Sequence, residues 1–161
     1  MPAADWPSLL EGLDITDISP AAAEAAASRV REYCGWHLAP AYTDTVEVEG
    51  PGFWRLNTRK IISVASVTDV VTAQLLPVSD YYIEGGHIVA KWSRYRRRVS
   101  IVFTHGYSKC PGDVVLFVRE LANAGAGEVA PVSQETVGQT NVSYREPNFS
   151  VLDQYALPRI A

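Results

Sequence analysis

The feature that most limits how this chain can fold is a change of hydrophobic period at Pro40. Before it, PAAAEAAASRVREYC sets Ala23, Ala27, Val30 and Cys34 along one helical face. After it come short segments such as TVEVE (45–49), where apolar and polar residues alternate as in half-buried strands. From Asp113 to about Ala124 the helical period returns. A helix, a set of short strands and a second helix exclude both a pure bundle and an all-β barrel. The expected class is α+β: a small helical core of two main helices, a short-stranded β meander and an extended C-terminal arm.

Local signals mark the element ends. Ser19 is placed to cap the first helix, Pro20 suits the first helical position, and Gly35 suits the stop. A shorter helical piece is expected before it, around Pro7 to Leu13. FWRL and IISVASVTDVV continue the strand signal, and Gly85-Gly86 joins DYYIE to HIVAKW as a tight hairpin. RVSIVFTH follows an arginine-rich loop, so 80–105 reads as a three-stranded meander. In the second helix Asp113 is the expected N-cap and Gly125 the expected stop. Arg119, Glu120 and Asn123 share one narrow face, so that helix is expected to be buried over most of its circumference. Beyond Gly125 the pattern thins. ETVGQTNVSY suits a small hairpin, and VLDQYALPRIA a helical turn cut short by Pro158. The division is a core domain over 1–126 and an arm over 127–161, without core residues for a second domain.

At 161 residues, 47% of them hydrophobic, the chain can bury one ordinary core. Two cysteines are too few for a disulfide framework. The opening MPAADWPSLLEGL lacks the pattern of a signal peptide, and no apolar run approaches a membrane span. A soluble protein made in a reducing cytoplasm is expected, with no membrane partner. Charge is segregated: nine acids against two bases in 1–50, three against nine in 51–110, six against three in 111–161. Two readings stand: head-to-tail attraction between copies, or an accident of a small sample.

Three clusters raise chemical questions. His105, Cys110 and Asp113 lie within nine positions and suggest a small cysteine hydrolase with Cys110 as nucleophile and His105 as base. Against this, strand alternation puts His105 on the core side with Val99, Ile101 and Phe103, and Asp113 already serves a helix. The structural reading is preferred. No metal is expected, since His37 and His87 sit in unrelated contexts and no Cys-x-x-Cys or His-Glu-x-x-His occurs. Cys34, on the alanine stripe, reads as a small buried hydrophobe. No cofactor is expected either, because the glycine pair joins two strands and no lysine-serine pair follows. KWSRYRRR (91–98) interleaves Trp92 and Tyr95 with Arg94, Arg96, Arg97 and Arg98. It fits a solvated loop, a contact with a neighbouring copy's acidic N-terminal third, or a DNA-binding module. Four tryptophans, Trp6, Trp36, Trp54 and Trp92, exceed what one small core takes, so some are expected at subunit contacts.

The order of ASRVREYCGWHLAP, VTDV, YYIEGGHIVAKW, RRRVSIVFTHGYSKCPGDVVLFVRELA and SQETVGQTNVSYREP with LDQYALPRIA resembles the head–tail connector (adaptor) proteins of long-tailed double-stranded DNA phages, particularly those of actinobacteria. The likeness runs from about residue 20 to the end. It implies a non-enzymatic subunit of the virion neck, forming a ring, commonly a dodecamer, beneath the portal. Its implied partners are its own copies, the portal protein, and a head–tail stopper or tail-completion protein. DNA would pass through the lumen without sequence-specific binding. Carried over to this chain, the tail implies Tyr144, Tyr155 and Pro158 as portal or neighbour contacts. Arg94, Arg96, Arg97 and Arg98 become candidates for the channel or a subunit boundary.

Overall fold

The computed structural model describes residues 6–11, 13, 17–84, 86–91, 97–124, 134–137, 140–143 and 147–158. Helix α1 (Pro20–Cys34) is bounded as its sequence dictates. Ser19 Oγ accepts the Ala22 N–H at 3.2 Å, and Gly35, at φ +77°, donates its N–H to Arg31 O at 2.8 Å. Its buried face is Ala23, Ala26, Ala27, Val30 and Cys34. These small side chains let helix α2 (Gly112–Asn123) approach closely, with Val114, Phe117, Val118, Leu121 and Ala122 turned inward.

Two expectations about α2 are corrected. Pro111 occupies the cap position, and the first helical bond runs from the Val115 N–H to Pro111 O at 3.0 Å. Asp113 therefore lies inside the first turn, where its Oδ1 accepts the Val114 N–H at 3.0 Å, and is not the N-cap residue. Nor is α2 buried over most of its circumference. Leu116 is 68% exposed, because α1 covers one face and nothing in the described fold covers the other. Gly125 lies outside the described residues. In place of the short helix expected at 7–13, the described residues form turns, with the Glu11 N–H on Ser8 O and the Leu13 N–H on Leu10 O. So short a segment, bounded by a proline and a glycine, cannot repay helix nucleation.

Six of the described strands form two antiparallel three-stranded sheets. The first holds β1 (Tyr42–Gly50), β6 (Arg97–His105) and β3 (Ile61–Asp69) in the order β1-β6-β3. The second holds β2 (Phe53–Arg55), β5 (His87–Ala90) and β4 (Tyr81–Glu84) in the order β2-β5-β4. The class is α+β, with two helices and these two small sheets. The β4–β5 hairpin forms as expected, but 80–105 is not one meander, because β6 crosses to the other sheet. Strand length explains the switch. Nine-residue β6 satisfies its backbone against nine-residue β1 and β3, whereas β5 offers four residues. Trp54, Tyr81 and Ile88 of the second sheet share one core with Val67, Val99, Ile101 and Phe103 of the first.

Two of the four tryptophans are core residues. Trp36 fills the helical core and Trp54 the sheet core, both fully buried, because the chain has two cores to fill. Trp6 is partly buried, and Trp92 lies outside the described residues. β7 (Gln134–Val137) and β8 (Thr140–Ser143) pair as the expected hairpin, with Val137 opposite Thr140. The chain then folds back. A 3-10 turn over Phe149–Leu152 buries Leu152 in the helical core, and the Leu157 N–H bonds Cys34 O at 2.8 Å.

Candidate functional site

His105, Cys110 and Asp113 are held in three different structural tasks. His105 ends β6 fully buried, its ring stacked on Phe103 at 4.9 Å and edge-on to His37 at 5.7 Å. Among the described residues neither ring nitrogen has a hydrogen-bond partner. Burial, reinforced by His37, pushes its pKa down to about 4, so the ring is neutral at pH 7. His37 is lowered too, chiefly by burial; its Nε2 bonds Pro40 O, and among the described residues its Nδ1 has no partner. With Trp6 at 5.6 Å and Tyr42 at 5.8 Å from His37, these rings form the joint between the helical core and the sheets.

Cys110 packs against the helical core, and its thiol is pushed up to about 11 by burial and then by Asp113. A nucleophilic cysteine needs the opposite shift. Asp113 accepts the Tyr155 hydroxyl at 2.8 Å and Gln154 Nε2 at 2.9 Å, which anchors the returning C-terminal segment. Cys34 is raised further, to about 12, again by burial. Among the described residues no group of three His, Cys, Asp or Glu side chains is placed to hold a metal.

Arg97 and Arg98 close the start of β6. Arg97 lies 3.3 Å from Asp69, which also accepts the N–H groups of Val71 at 2.9 Å and Thr72 at 3.0 Å. The Thr72 N–H, followed by that of Val71 and by Arg97, holds the Asp69 carboxyl below its usual range. Arg98 pairs with Glu47 across β1 and β6. Both arginines thus have carboxylate partners within the chain. Arg94 and Arg96 lie outside the described residues, as does Tyr144.

Tyr155 is half-buried. Its hydroxyl is engaged by Asp113, its ring meets Tyr107 edge-on at 6.0 Å, and its carbonyl accepts Trp36 Nε1–H at 2.6 Å. Burial, then the hydrogen bond to Asp113, raises its pKa to about 12. Pro158 is exposed at the rim of a groove between the end of α1 and the C-terminal segment, beside Tyr33, Gly35 and Leu157. Arg59 Nη1 clamps this segment, donating to the carbonyls of Gln154 at 2.6 Å, Ala156 at 2.9 Å and Asp153 at 3.3 Å. Residue patterns do not single out Arg59, because its partners are backbone atoms far away in sequence.

A second feature unforeseen from sequence is apolar exposure around the second sheet. Phe53, Tyr82 and Ile83 of its strands are open to solvent, as is Val78 just before β4, which is 75% exposed; Val71 and Leu75, in the turn after β3 of the first sheet, are exposed as well. By contrast, β1 of the first sheet turns Thr43, Thr45, Glu47 and Glu49 outward. A signal did exist: FWR and YYIE carry large apolar residues at adjacent positions, so both faces of the sheet are apolar.

No known family model matches the sequence, and no curated protein matches it. The fold does have a counterpart among solved structures. A chain in the structure described as the virion of native gene transfer agent (GTA) particle superposes with a TM-score of 0.60. The match covers 100% of this chain and 91% of that one at 15% sequence identity, a likeness of fold.

Proposed function

We propose that the chain is a structural protein of a phage-like virion and, more narrowly, a subunit of the connector between head and tail. The observation that carries the reading is the end-to-end fold match to a chain of a virion particle. The ordered sequence resemblance to phage connector proteins points the same way. The chemistry of the chain agrees: its one suggestive Cys–His–Asp cluster has a thiol of raised pKa, a histidine buried among rings and a carboxylate engaged by Tyr155. In this reading copies form a ring beneath the portal at the virion neck, extend the DNA channel and receive a head–tail stopper or tail-completion protein. Tyr144, Tyr155 and Pro158 are the proposed contacts of the tail, and the arginines of 94–98 the proposed lumen or boundary residues.

Co-expression with the portal protein of the same genome, followed by electron microscopy, tests the reading. The expected result is an extra ring of density beneath the portal. A portal that is unchanged at high concentrations of this chain would count decisively against it.

A further inference from the structure

The outer face of the second sheet is written in two rows. The pairings set Tyr82, Val89 and Phe53 side by side across β4, β5 and β2, and Glu84, His87 and Arg55 in the next row. Trp54, Ile88 and Tyr81, one position along each strand, are buried on the inner side, so these two rows face away from the core. Phe53 is 51% exposed and Tyr82 46%. The Phe53 ring stacks on His87 at 4.6 Å, which ties the rows together. The charged row has its acid on one edge strand and its base on the other. Two inter-strand spacings, about 10 Å, separate them, beyond the reach of an ion pair. Among the described residues neither Arg55 nor Glu84 makes one.

We propose that this face docks a second copy of the same chain, sheet against sheet, about a two-fold axis running along β5. Such a rotation exchanges the two edges of the sheet. β2 of one copy then lies over β4 of the other with each row kept in register. Phe53 meets the second copy's Tyr82, and Arg55 meets its Glu84, each contact occurring twice. Val89 meets Val89 at the centre. A face with acid and base at mirrored positions complements itself under this operation, and closing the pair removes an exposed aromatic row from water. The polar outer strand β1 of the first sheet carries no such row. The contact does not depend on the connector reading, since a ring closes through two different patches and a two-fold pair through one.

Sedimentation velocity of the full chain over a concentration series tests this. The expected result is a monomer–dimer equilibrium that weakens with added salt. Arg55→Glu and Glu84→Arg, each placing like charges together twice, are expected to weaken it by about tenfold or more. The double variant Arg55→Glu/Glu84→Arg restores it, because the swap keeps the pairing. Phe53→Ser weakens it at every salt concentration. All three positions of change, Phe53, Arg55 and Glu84, lie on the surface, and circular dichroism checks that each variant is folded. A wild-type chain that stays monomeric at millimolar concentration overturns the proposal. So does association that the single reversals leave untouched, or that the double swap fails to rescue.

Discussion

The helical half and the sheet half of this molecule bury their cores by different means. The helical core is sealed by two flanking segments of the chain, around Pro7–Ser8 and over 147–158. On one side Arg31 donates to Pro7 O and Ser8 bonds Glu24 at 2.7 Å. On the other, Arg59, Asp113, Trp36 and Tyr33 hold the segment 147–158. The sheet core is closed by apolar packing of one sheet on the other, and the second sheet's far side is left open with aromatic residues upon it. The difference teaches where to look for partners. A surface closed by directed polar bonds is finished, whereas an apolar surface with no cover is an invitation.

The largest test of the comparison is to open each core in turn. Trp36→Ala and Trp54→Ala are each expected to cost about 3–5 kcal/mol in urea unfolding. Trp36→Ala also removes the Tyr155 O bond, so it should loosen 147–158 in hydrogen exchange, while Trp54→Ala leaves that segment protected. Equal loosening in both variants would mean that the two cores do not close separately.

Acid acts on the joint between them. His105 has a folded pKa near 4, below the ordinary 6.5, so between those values the unfolded chain binds the extra proton. Its contribution is complete above pH 6.5 and lost as pH falls towards 4, a loss of about 3 kcal/mol by that point. His37, lowered as well, adds in the same direction. His105→Phe should flatten the fall in stability between pH 6.5 and 4.5. A variant as acid-sensitive as the wild type would remove His105 from the account.

Arg59→Ala takes the clamp from three carbonyls and is expected to cost about 1–2 kcal/mol. Faster amide exchange should be confined to 147–158, and a uniform rise across the sheets would contradict a local clamp. The smallest effect is expected from Glu47→Gln. Its pairing with Arg98 is exposed on both sides, so the change should stay within about 1 kcal/mol and vanish in high salt.

What could be read in advance followed what is local. Ser19, Pro20 and Gly35 bound α1 by neighbouring backbone geometry alone, and the β4–β5 turn and the alternation of TVEVE needed only adjacent residues. Errors arose wherever a residue's partner was distant. Asp113 looked like a cap until Tyr155 and Gln154, some forty positions on, were seen to use it. His105 was placed correctly on the core side, yet its neighbour His37 comes from the loop after α1, which no spacing reveals. Trp36 and Trp54 each fill a separate core, and that there are two cores is settled by distant packing.

Sequence by itself determined the α+β class, both helices, the strands and their alternation, because periodicity and capping are properties of a few consecutive residues. Tertiary structure alone decided that β6 leaves the β4–β5 hairpin to pair with β1 and β3. It also decided that the returning C-terminal segment is clamped by Arg59, and that one sheet face stays uncovered. Those outcomes turn on which long strands can satisfy each other's backbone and which apolar surfaces remain once they have. Both are settled between residues far apart in the chain.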